Sequence, residues 1–118
     1  MNNYVKSMNY EILMKRALGD NEEIELKYSN AHFKNLLDAE DGYKCDFLPT
    51  YEKQFEEIKS NLIKALRKLK INGPRDKYKR RIEYALNAKV LLLIIDELIE
   101  LTQYMLTNSP TLSQSPQV

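Results

Sequence analysis

The sequence predicts an all-α protein, a small helical bundle built on a long antiparallel helical hairpin with two shorter N-terminal helices. Apolar residues recur at three- and four-residue spacing over most of the 118-residue chain. Glycine and proline are few, three and four respectively, and they fall mostly where helices should begin or end. A chain of this length buries one core, so we expect a single helical domain over residues 1–107. The Ser/Pro-rich tail, 108–118, is too polar to order itself.

The first predicted helix covers residues 4–18. Tyr4, Met8 and Ile12 recur at every fourth position, with Val5 beside them, and we expect this face to be buried. Gly19 follows the last helical residue and can take the conformation that ends a helix.

The acidic segment that follows alternates as a strand does, with Ile24, Leu26 and Tyr28 between charged residues. No second strand is available to pair with residues 23–28, so we favour an extended connector. A strand that pairs across a dimer or with a partner's sheet is the alternative. Ser29 or Asn30 then offers an N-cap for a short helix that ends near Gly42.

The third predicted helix is capped by Asp46, has Pro49 in its first turn and runs to about Ile71. Its apolar stripe follows three- and four-residue steps. The stripe consists of Tyr51, Phe55, Ile58, Leu62, Leu66 and Leu69.

Asn72-Gly73-Pro74 predicts a chain reversal, after which one helix continues from Pro74 to about Thr107. The run 90–95 is apolar on all sides, which predicts that the other helices enclose the middle of this helix. A heptad-like seam contains Tyr84, Ala88, Leu91, Ile95, Leu98, Thr102 and Met105. A second stripe beside it contains Ile82, Leu86, Leu93 and Ile99.

The charge distribution is the main functional signal. Residues 64–81 carry nine basic residues and one acid, a net charge of +8, whereas the whole chain carries only +1. The rest of the chain therefore sums to −7. The basic residues are Lys64, Arg67, Lys68, Lys70, Arg75, Lys77, Lys79, Arg80 and Arg81. Because the chain reverses within this block, we expect the cations to gather at one tip of the hairpin.

A cationic tip of this size fits the phosphate backbone of a nucleic acid, with Tyr78 and Tyr84 as rings that could stack on bases. The alternative is a solvated surface, because cations near the end of the third helix are favoured by the helix dipole. Lys77, Arg80 and Arg81 then lie near the start of the predicted fourth helix, where the dipole disfavours them. That placement favours a function.

The acidic segment 20–57, with eleven acids and four bases, could fold back on the basic tip, meet the tip of a second copy or keep the protein soluble.

Catalytic and metal-binding patterns are weak. The one histidine, His32, fits a packed role better than general base catalysis, and Cys45 has no predicted base beside it. One His and one Cys cannot form a zinc site, and three glycines provide no phosphate-binding loop. We therefore expect no enzyme, no cofactor and no metal.

Cys45 is the only cysteine, so no internal disulfide can form, and no secretory leader is visible. The longest apolar run has six residues, where a membrane span needs about 20. These observations predict a cytoplasmic (intracellular) protein without a membrane partner.

The order of a short helix, the acidic segment "NEEIELKY", the segment "LPTYEKQFEEIKSNLIKALRKLK" and a long last helix resembles the helical domain of archaeal GINS replication subunits. This resemblance implies a replication subunit. The last helix ends "IIDELIELTQYML", which lacks the basic residues of that family, and no small β-domain follows. Small helical subunits of CRISPR effector complexes and small viral inhibitors fit the same pattern.

The sequence therefore predicts a non-enzymatic accessory subunit that contacts a nucleic-acid backbone, DNA or RNA, through the basic tip within a larger nucleoprotein assembly. The alternative is a protein-interaction module, an adaptor or inhibitor and possibly a viral one, that docks on a charged protein surface. Self-association of such a dipolar molecule is compatible with both.

Overall fold

The computed structural model describes residues 2–19, 25–43, 50–71 and 73–107, and of residues 103–107 it describes the backbone alone. Within these ranges the chain forms five helices and no strand, which confirms the all-α prediction. The helices are α1 (Asn3–Leu18), α2 (Leu26–Asp41), α3 (Tyr51–Lys68), α4 (Arg75–Glu83) and α5 (Ala88–Thr107). The tail 108–118 and Cys45 lie outside the described residues. The predicted long hairpin is not confirmed, because α5 packs against α1, α2 and α4.

Helix α1 begins and ends as the sequence predicts, but it buries a different face. The Asn2 side chain accepts hydrogen bonds from the first-turn amides, and Gly19 ends the helix with φ +70°. The predicted face is 40–56% exposed, and it contains Tyr4, Val5, Met8 and Ile12. The buried face contains Ser7, Tyr10, Leu13 and Met14.

The reason for the change of face is the Tyr10 hydroxyl. It hydrogen-bonds to Ser29 Oγ at 2.6 Å and accepts from Asn61 Nδ2 at 3.0 Å, so it joins α1, α2 and α3 inside the core. The Tyr10 ring also packs on Phe33, with ring centroids 5.3 Å apart. Buried tyrosine hydroxyls need hydrogen-bond partners, and two neighbouring helices provide them on this face, which also buries Leu13 and Met14.

Helix α2 begins earlier than predicted. Leu26 to Tyr28 are helical, so neither the strand nor the extended connector is correct there, while residues 20–24 lie outside the described part. Ser29 and Asn30 are buried inside the helix and are not its N-cap. The helix ends at Asp41, close to the predicted end near Gly42.

Helix α3 is the best predicted element. It runs from Tyr51 to Lys68, three residues short of the predicted end. The predicted cap Asp46 and Pro49 lie outside the described residues. The stripe is confirmed: Tyr51 is half-buried and the other members are buried, namely Phe55, Ile58, Leu62, Leu66 and Leu69.

The predicted helix from Pro74 to Thr107 is wrong, because the chain leaves the helix after Glu83 and begins α5 at Ala88. Asn87 caps α5 by accepting from the Val90 amide at 3.0 Å. The first two amides of α5 donate to the Glu40 carboxylate of α2, Ala88 N at 2.7 Å and Lys89 N at 3.0 Å. Glu40 also accepts from the Tyr51 hydroxyl at 2.6 Å.

The break changes which residues of the predicted seams are buried. Tyr84 and Leu86 are 77% and 87% exposed, and Leu93 is 62% exposed, so residues 90–95 are not enclosed on all sides. Ile99 is half-buried and Met105 lies beyond the described side chains. The other seam members are buried as predicted, namely Ala88, Leu91, Ile95, Leu98 and Thr102, and so is Ile82.

We predict that Glu40→Ala lowers the free energy of unfolding by about 1–3 kcal/mol, because the α5 amides and the Tyr51 hydroxyl lose their charged acceptor. Urea unfolding followed by circular dichroism measures the change. Glu100→Ala, which removes an exposed carboxylate from the other end of α5, is the control and should change stability by less than about 0.5 kcal/mol. Equal stability of the two variants would contradict the capping role.

The hydroxyl of Tyr10 gives a pH prediction. Burial raises the pKa of Tyr10 to about 12, against the ordinary value of 10.0. As pH rises, the unfolded chain therefore loses the Tyr10 proton at a lower pH than the folded chain. The stabilisation that comes from the protonated hydroxyl is fully present below pH 10.0 and declines as pH rises towards 12. Between pH 9 and pH 11 the wild type should lose about 1.4 kcal/mol more stability than Tyr10→Phe. Urea unfolding of both proteins at the two pH values measures this difference, and equal losses would show that the phenol ionises freely in the folded state.

Candidate nucleic-acid interface

The basic block lies where α4 turns back along the end of α3. At the start of α4 the Arg75 guanidinium donates to the carbonyl oxygens of Leu66 and Leu69, the latter at 2.9 Å. At its other end Lys59 Nζ donates to the Glu83 carbonyl oxygen at 2.8 Å. These two contacts define an antiparallel pairing of α4 with the last half of α3. The pairing places the start of α4 beside the end of α3.

Three predicted site residues have structural roles. Arg75 satisfies the carbonyl groups at the end of α3, which have no partners within the helix. Tyr78 is only 8% exposed, so its ring is not available for stacking. Arg81 binds Glu97 of α5 through both nitrogens at 2.7 Å. The cations of Lys77 and Arg81 lie 5.9 and 5.4 Å from the centre of the Tyr78 ring.

The ion pair between Arg81 and Glu97 connects α4 to α5. The hydrogen bonds from Arg81 hold the pKa of the Glu97 carboxyl below its ordinary value of 4.5, against the opposing effect of burial. The same contact raises the pKa of Arg81. Because both side chains are more than a third exposed, with values of 34% and 44%, water screens the attraction and its contribution to stability is small.

The remaining cations of the block form what we call the basic surface. Its members are exposed and make no ion pair or hydrogen bond with the part of the chain that the structure describes. They are Arg67, Lys68, Lys70, Lys77, Lys79 and Arg80. Lys64 is half-buried and has interactions of its own, so it is not counted with them.

Helical spacing places two cations of α4 on the same side of the helix as Tyr84. Lys77, Arg80 and Tyr84 follow at three- and four-residue steps, so they lie along one side of α4, and the Tyr84 amide bonds back to the Arg80 carbonyl at 2.9 Å. A groove of about 510 Å³ runs next to Tyr84, lined by Glu56, Lys59, Ser60, Ile63 and Glu83.

The break at Tyr84 changes the position of Arg80 and Arg81 relative to the helix dipole, whereas Lys77 remains in the first turn of α4. Arg80 and Arg81 belong to the last turn of a nine-residue helix, where the dipole favours cations. The position of these two arginines therefore needs no functional explanation. The feature that still indicates a binding surface is the unpaired charge of the basic surface.

Many acids of the segment 20–57 bind partners within their own fold. Asp38 accepts hydrogen bonds from Lys34 and Asn3. Both lower the pKa of Asp38, and the bond from Lys34 has the larger effect. Lys89, followed by Asn3, lowers the pKa of Asp41 in the same way. His32 Nδ1 lies 3.0 Å from a Glu57 oxygen, which gives the histidine a pairing role. Over the described ranges these contacts link α2 to its neighbours.

Among the residues that the structure describes, no group of three or more His, Cys, Asp or Glu side chains is arranged to hold a metal ion. No helix in the same ranges is both long enough and apolar enough to cross a membrane.

No protein-family model matches the chain, and comparisons with curated proteins and with solved structures find no match. The resemblance to GINS subunits gains no support from them.

We predict that Glu97→Gln lowers the free energy of unfolding at pH 7 by about 0.5–1 kcal/mol, because a screened ion pair contributes no more than this. The lowered pKa of Glu97 means that the contribution is present above the ordinary value of 4.5 and is lost as pH falls through the lower, folded-state pKa. Wild type and variant should therefore converge in acid. Glu100→Gln on the same helix is the control, and a difference from wild type that persists in acid would exclude the ion pair as its cause.

Proposed function

We propose that the protein is a non-enzymatic helical accessory subunit that binds the phosphate backbone of a nucleic acid through the basic surface. The observation that carries the proposal is the unpaired charge at the junction of α3 and α4. Six cations of the basic surface are exposed there without an acidic partner among the described residues. Concentrated positive charge of this kind attracts polyanions, and phosphates arranged at regular spacing can satisfy several cations together.

The local fold supports the proposal, because other residues of the same block keep the two helix ends together. Arg75 ties α4 to α3, and Arg81 ties α4 to α5. The buried side chains of Tyr78 and Ile82 anchor α4 in the core as well. The exposed cations are therefore held close by contacts that do not use them, which leaves them available to an external anion.

Contacts of this type carry little sequence information, because lysine and arginine on phosphate oxygens fix position rather than read bases. We therefore expect weak preference among sequences, with specificity supplied by other members of a nucleoprotein assembly.

We predict that Lys77→Glu/Arg80→Glu weakens nucleic-acid binding at least tenfold at 50 mM salt. Wild-type affinity for duplex DNA should fall about a thousandfold between 50 and 200 mM salt, which is a log-log slope near −5 for six phosphate contacts. Fluorescence anisotropy of labelled duplex DNA, single-stranded DNA and RNA measures both effects. Arg81 is left unchanged, since its replacement would also disrupt the contact with Glu97.

The matched control is Lys27→Glu/Lys53→Glu, which makes the same change in net charge at exposed lysines of α2 and α3 outside the block. The control should retain binding within about threefold if location matters more than total charge. Absence of binding by the wild type at 50 mM salt, or an equal loss in both variants, would refute the proposal.

A second candidate function, a protein-interaction module, is favoured by the exposed face of α1. Val5, Met8 and Ile12 lie on one side of this helix at three- and four-residue steps and are 40–45% exposed. A pull-down in which Met8→Glu abolishes capture of a partner that Arg80→Glu leaves bound would favour this module over the nucleic-acid interface.

A further inference from the structure

Among the described residues, the one largely exposed aromatic ring next to the basic surface belongs to Tyr84. Its side chain is 77% exposed, whereas Tyr78, six residues earlier, is enclosed. Tyr84 is exposed because α4 ends at Glu83 and the chain leaves the helix before α5 begins. In the continuous helix that the sequence predicts, this ring would have packed in the core seam.

The position of Tyr84 relative to the cations is set by helical spacing. Lys77, Arg80 and Tyr84 lie in succession along one side of α4, over about 10 Å at 1.5 Å per residue. This distance is comparable to the length of two nucleotides of an extended single strand. Two cations followed by an exposed aromatic ring would match two phosphates followed by a base.

The surroundings of the ring provide space for a base. Leu86, two residues further on, is 87% exposed and offers a second apolar surface. A groove of about 510 Å³ lies between Tyr84 and α3, with Lys59, Ser60 and Ile63 of α3 and the carboxylates Glu56 and Glu83 in its lining.

We propose that the basic surface binds single-stranded nucleic acid in preference to duplex, with a base stacked on Tyr84 and the preceding phosphates on Arg80 and Lys77. This inference rests on the proposed function. Duplex DNA or RNA offers phosphates to the cations but keeps its bases stacked within the helix, so it cannot use the ring. Single strands have unstacked bases, and an aromatic side chain accepts any of them, whether in DNA or in RNA.

The chain lacks tryptophan, which allows a direct test. Tyr84→Trp introduces a single indole at the proposed stacking position, and stacking of a base on it quenches its fluorescence. We expect strong quenching by oligo(dT) and oligo(U) and weak quenching by duplex DNA at equal saturation, with saturation measured by anisotropy of the labelled strand. Similar quenching by single strands and duplex would overturn the stacking role.

Affinity provides the second measurement. Tyr84→Ala should weaken binding of single strands about tenfold, the effect of one stacked base, and should change duplex binding less than twofold. Tyr84→Phe keeps the ring and should bind as wild type, so an equal loss in this variant would also overturn stacking. Tyr4→Ala, which removes a half-exposed ring on α1, is the control and should change neither affinity.

The outcomes separate the two proposals. If the wild type binds single strands and duplex equally and Tyr84→Ala has no effect, the basic surface functions without Tyr84 and only this inference fails. If no nucleic acid binds at 50 mM salt, the proposed function fails and this inference fails with it.

Discussion

The arrangement of the helices depends most on the Glu40 carboxylate. In a continuous helix the amides of Ala88 and Lys89 would bond to carbonyl oxygens four residues earlier in the chain, but here they bond to a side chain of α2. The same carboxylate accepts from Tyr51 at the start of α3. One residue therefore joins α2, the start of α3 and the start of α5. Glu40 holds the start of α5 at Ala88, so α4 and α5 are separate helices, with the chain leaving the helix between Glu83 and Ala88.

The sequence predicts those features that depend on local periodicity. The stripe of α3 is correct because the apolar spacing there has no competing face. Helix α1 has two faces with similar spacing, and the choice between them depends on a hydroxyl network with Ser29 and Asn61 that lies on other helices. The break at residues 84–87 has a local signal, Asn87 before Ala88, but the longer periodic pattern conceals it. Its decisive partner, Glu40, is 48 residues away in the chain, and no local pattern indicates it.

In the candidate site, too, some features follow from the local sequence and others from contacts between distant residues. Counting charges finds the basic block, and the turn at residues 72–74 predicts that the two segments come together. The number of charges does not show which cations form contacts within the protein and which are exposed. Arg75 and Arg81 have the same side chain as Arg67 and Arg80, yet the first two hold helix ends while the other two are exposed. Tyr78 and Tyr84 are separated similarly, because the end of α4 lies between them and leaves only the second ring in solvent.

The contact between Arg81 and Glu97 also affects the charge that an incoming anion meets. Glu97 lies close enough to Lys77 for that lysine to contribute to the lowered pKa of the carboxyl. With Arg81 bound to both of its oxygens, Glu97 presents little free negative charge beside Lys77. Loss of Arg81 would both loosen α4 and expose a carboxylate next to the basic surface, so two effects would oppose phosphate binding together. Arg80 has neither complication, because it makes no ion pair or hydrogen bond with the described residues, and its removal changes the surface charge alone. A comparison of the two neighbouring arginines therefore distinguishes support of the surface from direct contact with the ligand.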